Sequence, residues 1–344
     1  MPHAPRTHPR PVRLSRRSAI LIAGGAWLAA GIPARASTPS PVADAAWTSG
    51  PPLPSARSEF AGVFLDGSIV VAGGFGAEST VSRLDLASGV WSDLAPLPEP
   101  RHHLGLAALD GAIYAIGGHD ATHGATDTAW RYDPEADAWS DLPPLPQGPR
   151  GALGCAALNG TIVAVGGSSG DLSGPATADV AAFDPATETW TLLPPMPTAR
   201  EHLAVAAAGG ILVAIGGRNG GQFDPAMDTA VERYDPSTGD WRTGSPIPDG
   251  RSGMGVAVDV DVDAASIIVL GGEGREGTNG LYNRVQRYEV AADAWSDLPA
   301  LPVARHGIAA AVADGVLYAI GGSTRAYTVA NTDAVDRLPL SDRV

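Results

Sequence analysis

Short apolar segments, separated by turn residues, recur along most of this chain. Residues 104–109 and 203–208 are runs of small apolar side chains, and each run is followed by a tight turn and a second apolar segment. Asp-Gly and Asn-Gly pairs stand in two of these turns, at 110–111 and 159–160. Apolar runs of four to six residues joined by such turns are typical of antiparallel β-hairpins. The pattern therefore predicts an all-β fold.

The hairpins belong to a longer repeat. Each second strand ends at a Gly-Gly pair, and the pairs lie 44 to 55 residues apart, at 73–74, 117–118, 166–167, 216–217, 271–272 and 321–322. A Trp and, about ten residues later, an Arg behind a proline-rich turn return at the same period. The tryptophans are Trp47, Trp91, Trp139, Trp190, Trp241 and Trp295. The arginines are Arg57, Arg101, Arg150, Arg200, Arg251 and Arg305. Self-similarity at such a period indicates a repeat protein.

A further residue fixes the order of strands in each unit. This residue ends the third strand and stands seven residues before the next Trp in each of the five units that contain both the strand and the Trp. It is Leu84 in the first unit and an aromatic in the other four, namely Tyr132, Phe183, Tyr234 and Tyr288. This order of features resembles the Kelch repeat over residues 47–338. The resemblance implies a six-bladed β-propeller with four strands, a to d, in each blade. The repeated Gly, aromatic and Trp residues are then parts of the blades and not a functional site.

The two ends of the chain predict how the ring closes. The sixth Gly-Gly pair is followed by a third strand at 335–338, but its Trp would fall at position 345, beyond the last residue. Ala46-Trp47-Thr48 offers a fourth strand that has no first three strands before it. We therefore expect residues 46–49 to pair with residues 334–338, so that the last blade is closed by the N-terminal strand and no sheet edge stays open.

The first 36 residues have the features of an export signal. Arg13, Arg16 and Arg17 precede an apolar run at 19–32, and an Ala-Arg-Ala cleavage motif follows at 34–36. The stretch at 15–21 resembles a twin-arginine signal, and an ordinary Sec signal is the alternative. The run is short for a membrane span, so stable insertion after cleavage is not expected. These features predict a cleaved signal at 1–36, a linker at 37–45, a propeller at 46–344, and a periplasmic or extracellular location.

Charge and cysteine content narrow the functional classes. The chain has 37 acidic residues and 23 basic residues, and every basic residue is an Arg. The formal net charge is −14, and it becomes −20 when residues 1–36 are left out. An acidic surface of this kind repels phosphate backbones, so nucleic acid is not an expected partner. The single cysteine, Cys155, lies in a small apolar strand and excludes an intramolecular disulfide. A buried, inert thiol is the expected role.

Candidate functional residues lie in the loops expected on one face of the disc. The b–c loops vary most in length, and they share that face with the d–a turns. Six of the eight histidines in the chain fall there. The candidates are Glu59, His102, His103, His119, Glu201, His202, Arg218, Glu273, His306 and Arg325. They are interpreted as a small-molecule or peptide site, as a metal site, or as ordinary solvated loop residues. No short metal-ligand motif occurs, so neither a metal nor another cofactor is predicted.

The repeated arginines have two possible roles. One residue per blade indicates a structural role, with the guanidinium bonded to loop carbonyls. The alternative is a ring of positive charge that attracts an anion.

Two classes of function remain open. The first is a non-catalytic binding module that holds an unidentified protein, peptide or glycan through the loop face. The second is an enzyme that resembles the sialic acid mutarotases, exported six-bladed Kelch proteins. That resemblance implies Glu273 as the acid/base and Arg275 or Arg284 as the clamp for the sugar carboxylate. A resemblance to galactose oxidase implies copper and a Cys–Tyr crosslink, which is not favoured because Cys155 lies in an inner strand.

Overall fold

In the computed structural model, the described residues are 46–219, 226–260, 265–326 and 328–340. These ranges contain β-strands, isolated bridges and turns, and no helix. The strands form six four-stranded antiparallel sheets, and we call them blades 1 to 6. The predicted export signal at 1–36 and the linker at 37–45 lie outside the described residues and stay predictions.

Each blade is a meander whose strands a, b, c and d follow one another in the sheet. Blade 1 consists of β2 (Ala61–Leu65), β3 (Ser68–Ala72), β4 (Val81–Asp85) and β5 (Val90–Leu94). Blade 2 consists of β6 (Gly105–Leu109), β7 (Ala112–Ile116), β8 (Ala129–Asp133) and β9 (Ala138–Leu142). Blade 3 consists of β10 (Gly154–Leu158), β11 (Thr161–Val165), β12 (Val180–Asp184) and β13 (Thr189–Leu193).

Blades 4 to 6 repeat this order with additions in their b–c loops. Blade 4 consists of β14 (Ala204–Ala208), β15 (Ile211–Ile215), β18 (Val231–Asp235) and β19 (Asp240–Thr243). Blade 5 consists of β20 (Gly255–Val260), β21 (Ala265–Leu270), β23 (Val285–Glu289) and β24 (Ala294–Leu298). Blade 6 consists of β25 (Ala309–Ala313), β26 (Val316–Ile320), β27 (Val335–Pro339) and β1 (Thr48–Ser49). The added strands are β16 (Arg218–Asn219), which pairs with β17 (Ala226–Met227), and β22 (Glu273–Thr278).

The predicted closure of the ring is confirmed. Strand β1 pairs antiparallel with β27, with Thr48 opposite Arg337 and Ser49 opposite Asp336. The Gly50 N–H continues this pairing by donating to the Val335 carbonyl over 2.6 Å. Blade 6 therefore takes three strands from the C-terminal end of the chain and its outermost strand from the N-terminal end.

Neighbouring blades are held together by the repeated tryptophans. The indole N–H of each donates to a backbone carbonyl of the proline-rich segment that follows the preceding blade, over 2.8 to 3.0 Å, for example from Trp139 to Ala95. Strand b residues are almost wholly buried, and apolar side chains from adjacent blades share common clusters. The cores of the propeller therefore lie between blades, where burial of apolar surface stabilises the ring.

The six repeated arginines are structural. Each is at most 1% exposed. In five blades the guanidinium donates to the carbonyl of the residue before strand c, over 2.9 to 3.3 Å. Arg101 instead stacks on Trp130 and bonds Pro100 and Glu99. This confirms the predicted bonds to loop carbonyls and argues against an exposed ring of positive charge.

Strand a of every blade lines an axial channel of about 710 Å³. Cys155 is one of its lining residues. Burial raises the pKa of the Cys155 thiol to about 12, so the unreactive neutral form dominates near pH 7. This agrees with the inert thiol expected from the sequence, but Cys155 is partly exposed on the channel wall and not fully buried as expected.

Candidate functional site

Three positions in each blade meet around the axis on the loop face. They are the two residues after the repeated arginine and the residue after the Gly-Gly pair. The first of them forms an antiparallel bridge with the third in every blade, as Glu201 does with Arg218. The six bridges are Ser58–Phe75, His102–His119, Gly151–Ser168, Glu201–Arg218, Ser252–Glu273 and His306–Ser323. The repeat thus fixes the backbone at these positions, while the side chains differ from blade to blade.

The second residue after each arginine belongs to a closed ring of hydrogen bonds. Its N–H donates to the carbonyl of the equivalent residue in the preceding blade, over 2.8 to 3.0 Å, all the way around the axis. The members are Glu59, His103, Ala152, His202, Gly253 and Gly307. All six have φ between 51° and 61°, the left-handed region. Side chains such as Glu and His rarely adopt this conformation, and such residues are concentrated at functional sites.

Small residues in this region make room for larger neighbours. A Cβ placed on Gly307 would lie 2.6 Å from the carboxyl group of Glu59. A Cβ on Gly151 would lie 2.0 Å from the imidazole of His119. The glycines of blades 3 and 6 therefore allow ionisable side chains from blades 1 and 2 to occupy the centre.

A cavity of about 320 Å³ opens on this face. Five of the six blades contribute side chains with ionisable groups to its wall. The lining residues are Ser58, Glu59, Phe75, His103, His123, Leu172, His202, Arg218, Glu273, His306, Thr328 and Val329.

Arg218 is the centre of a buried ion-pair network on one side of the cavity. Its guanidinium donates to Glu201 and to Glu273, each over 2.7 Å. The imidazole of His202 also bonds Glu201, over 2.8 Å. Burial alone would raise the pKa of Glu201, but the neighbouring charges of His202 and Arg218 outweigh it and lower this pKa to about 2. The Glu201 carboxylate therefore stays ionised well into the acid range.

Glu59 lies on the other side of the cavity, between two histidines from different blades. One carboxylate oxygen is 3.3 Å from Nε2 of His103, and the other is 3.3 Å from Nε2 of His306. Nε2 of His306 is also 3.5 Å from Glu273. The two sides of the cavity are thus connected through His306.

Four histidines of blade 2 pack against one another behind and beside the cavity. His102 contacts His103 over 2.6 Å and His123 over 3.0 Å, and its ring stacks on His119. Burial, helped by the other imidazoles, lowers the pKa of His102 to about 3 and that of His119 to about 4. Within the described part of the chain, neither ring nitrogen of His119 has a hydrogen-bond partner. The imidazoles of His102 and His119 are therefore neutral at pH 7.

Acidification is expected to destabilise the metal-free protein between about pH 6.5 and pH 4. In the unfolded chain His102 and His119 take up protons near pH 6.5, whereas in the folded chain they stay neutral down to about 3 and 4. The unfolded state binds more protons in this window, so the free energy of unfolding falls as the pH falls, by about 1.4 kcal/mol per pH unit for each histidine. Urea denaturation at a series of pH values, with a chelator present, measures this slope.

The control for this prediction is His119→Gln, which removes one of the two titrating groups. In this variant the free energy of unfolding should change less steeply with pH, by about 1.4 kcal/mol per pH unit, which is the contribution of one proton, whatever the absolute stability. A wild-type free energy of unfolding that stays constant from pH 7 to pH 4.5 would contradict the prediction.

The structure brings most of the sequence-predicted site residues together. Six of them line the cavity: Glu59, His103, His202, Arg218, Glu273 and His306. His102, His119 and Glu201 lie directly behind these and contact them.

Three predicted arginines lie outside this group. Arg275 and Arg325 are exposed and do not line the cavity. Arg284 forms ion pairs with Asp249 and Asp297. The structure brings Arg218 into contact with Glu273.

Sequence reasoning missed the apolar part of the wall. Phe75, Leu172 and Val329 line the cavity, and the ring of Phe75 lies 4.2 Å from that of His102. The signal that could have found Phe75 is its position directly after the Gly-Gly pair. The same position holds Arg218 and Glu273 in other blades.

Among the residues that the structure describes, two groups of side chains have ligand atoms close enough to share a metal ion. One consists of His102, His103 and His119, and the other of Glu59, His103 and His202. The ligand atoms within each group lie within 4.8 Å of one another. His103 is common to both.

Among the described residues, no helix is long and apolar enough to cross a membrane.

In comparison with solved structures, the chain superposes on the "Structure of YjhT" with a TM-score of 0.70 and 20% identity, covering 83% of this chain and 95% of that one. This likeness shows the fold.

Similarity to curated proteins covers parts of longer chains. Kelch-like protein terF of Aspergillus terreus is 27% identical over 154 residues, which is 43% of this chain and 32% of that protein. Kelch-like protein 34 of Homo sapiens is 29% identical over 39% of this chain, and the match spans 20% of its own length. Kelch-like protein 35 of Mus musculus is 31% identical over 27% of this chain and 15% of its own.

The family comparison agrees with the blades seen in the structure. The KLHDC2/KLHL20/DRC7 Kelch-repeats domain matches residues 42–217, half of the chain, and a Kelch motif matches residues 199–248. Together with the six-bladed propeller, these matches show that the chain belongs to the Kelch-repeat family.

Proposed function

We propose that this propeller is a binding module that holds a small polar ligand, or the polar end of a peptide or glycan, in the loop-face cavity. The observation that carries the proposal is the convergence of seven ionisable side chains from five blades on one cavity of about 320 Å³. This volume is at the lower end for small-molecule sites. A single sugar or amino-acid residue is therefore a better match than a large cofactor.

The wall offers both kinds of polar contact. Arg218 and the histidines can donate hydrogen bonds, and Glu59 and Glu273 can accept them. Phe75 and Leu172 add apolar surface against which a sugar or side chain can pack. Polar groups that converge on a cavity beside some apolar surface fix the orientation of a bound ligand.

The predicted export signal supports a ligand from outside the cytoplasm. The signal-like segment at 1–36 favours the periplasm or the extracellular space, where peptides and glycans of the cell envelope are available. The acidic surface disfavours nucleic acid.

A thermal-shift screen of the purified protein against sialic acid, other sugars, amino acids and peptidoglycan fragments tests the proposal. A ligand present at about 100 times its Kd stabilises the folded state by about 2.7 kcal/mol. We expect Glu273→Gln to remove the shift, and Arg325→Ala, an exposed loop change outside the cavity, to keep it. Loss of the shift in the Arg325 variant alone, or no shift with any ligand, would contradict binding in this cavity.

A second candidate is the interconversion of sugar anomers, as in the sialic acid mutarotases. The observation in its favour is that Glu59 and Glu273 each face the imidazole of His306. Ring opening needs one group that removes the proton of the anomeric hydroxyl and one that protonates the ring oxygen, and carboxyl–imidazole pairs supply both. In this candidate Arg218, which already contacts Glu273, replaces Arg275 as the group nearest a sugar carboxylate.

Anomer exchange of N-acetylneuraminate, followed by NMR, tests the catalytic candidate. We expect the wild type to exceed buffer, Glu273→Gln to lose most of the gain, and Arg325→Ala to retain it. A wild-type rate equal to that of buffer removes this candidate and leaves the binding proposal intact.

A further inference from the structure

We propose that Glu59, His103 and His202 form a binding site for a divalent transition-metal ion of the zinc class. These residues come from blades 1, 2 and 4, and their ligand atoms lie within 4.8 Å of one another at the centre of the loop face. Two imidazoles and one carboxylate are a common ligand set for zinc sites that leave a coordination position open.

The distances at Glu59 are those between two ligands of one ion. Its carboxylate oxygens are 3.3 Å from His103 and 3.3 Å from His306. Metal–ligand bonds of about 2.0 to 2.2 Å in tetrahedral geometry place two ligand atoms about 3.3 to 3.6 Å apart. Charge-assisted hydrogen bonds are shorter, about 2.7 to 2.9 Å. The Glu201 contacts nearby, at 2.7 and 2.8 Å, are of that second kind.

The other ring nitrogen of each proposed histidine ligand is already engaged. Nδ1 of His202 bonds the Glu201 carboxylate over 2.8 Å, and Nδ1 of His103 contacts His102 over 2.6 Å. Nε2 of His103 faces Glu59 over 3.3 Å, and Nε2 of His202 has only a long contact of 3.4 Å with the Arg218 guanidinium, so these two atoms are the ones that would bind an ion. Metal-binding histidines typically have such a second partner, which fixes the orientation of the ring.

The charge of the surrounding network also favours a divalent cation. Glu59, Glu201 and Glu273 contribute three carboxylates, and Arg218 contributes one guanidinium. All four side chains are at most 11% exposed. Carboxylates outnumber the guanidinium in this buried set, which favours a cation beside them.

His306 is placed to act as a fourth ligand. Its Nε2 faces Glu59, and within the described residues its Nδ1 has no hydrogen-bond partner. The alternative group of His102, His103 and His119 is less suitable. Both ring nitrogens of His102 are engaged, one by His103 and the other by His123.

An ion at this place would face the cavity. It would attract an oxygen atom of a bound ligand and polarise it as a Lewis acid. The site shares its residues with the proposed function but does not depend on it, because ion binding is measured with no sugar or peptide present.

The test is a titration of the full, chelator-treated protein with Zn²⁺ alone. Calorimetry and elemental analysis after dialysis should show one ion per chain, and Co²⁺ in its place should give the visible absorption bands of a low-coordinate site. Glu59→Gln and His103→Gln should each weaken binding by more than about a hundredfold, and Glu201→Gln by about 10- to 100-fold, since Glu201 only orients His202.

His119→Gln is the matched control, since His119 belongs to the alternative group and not to the proposed ligands. Its ring packs against that of His103, so the affinity for Zn²⁺ should fall by at most about tenfold, well short of the loss expected for a ligand. Circular dichroism identifies any variant that fails to fold, and the two ligand substitutions provide independent tests. The proposal is overturned if the wild type takes up no stoichiometric ion. It is also overturned if folded Glu59→Gln binds like the wild type, or if His119→Gln abolishes binding while His202→Gln retains it.

Discussion

A chain that begins at Leu53 is expected to melt about 10 °C below a chain that begins at Ala46. The shorter chain lacks Trp47 and both residues of β1, so the outer edge of β27 is left without a partner. It also loses the hydrogen bond from the Trp47 indole to Pro299, which ties blade 6 to the segment after blade 5. Removal of a packed Trp costs about 3 kcal/mol or more, and a large domain loses about 2 °C for each kcal/mol.

Trp47→Ala in the longer chain separates the two causes. It removes the indole but keeps the strand pairing of Thr48 and Ser49. Its Tm should therefore fall by about half as much as that of the chain that begins at Leu53. Scanning calorimetry measures both chains and the variant. The shorter chain should also associate more readily, because an open strand edge pairs with other chains. Equal melting temperatures for the two chains would show that closure by β1 adds nothing to stability.

The blades were predictable from the sequence because every repeat carries the same local chemistry. The spacing of seven residues between Tyr132 and Trp139 is that of a short hairpin, and the two residues face each other across the strand pair. Tyr234 and Trp241 do the same in blade 4. Closure was equally accessible, because a strand d was missing at one end of the chain and present at the other.

The candidate site was only partly predictable, because it is assembled across the axis. The sequence indicates which residues lie in loops on one face, but Arg275 and Arg325 share these loops and remain exposed. Which residues turn inward depends on the ring of hydrogen bonds at Glu59, His103 and His202, and that ring forms only when six blades close. The proposed metal ligands are far apart in sequence, so no short motif marks them.

Arg218→Met is expected to reduce the free energy of unfolding by about 3 to 5 kcal/mol at pH 7 in the metal-free protein. The guanidinium lies between Glu201 and Glu273, whose side chains are 1% and 3% exposed. Methionine occupies similar space but leaves two buried carboxylates without their cation. Removing one partner of a buried ion pair is costly for this reason.

The same substitution at Arg284 is the matched control. Arg284 also bonds two carboxylates, Asp249 and Asp297, but its side chain is 38% exposed. Water already solvates these charges, so Arg284→Met should cost less than about 1 kcal/mol. Equal losses of unfolding free energy for the two substitutions would show that burial does not determine how much the Arg218 network contributes to stability.

The pH dependence of the Arg218 variant identifies the cause of its lower stability. In the wild type the lowered pKa of Glu201, about 2, stabilises the folded state above about pH 4.5, and this contribution is lost as the pH falls towards 2. Without Arg218 that pKa rises, so the variant loses less stability on acidification, and the difference between the two proteins should shrink below pH 4.5. Adding Glu273→Gln to the variant should recover part of the loss at pH 7, because one uncompensated charge is removed. If the difference stays constant from pH 7 to pH 3, lost packing rather than uncompensated charge explains the effect of Arg218→Met.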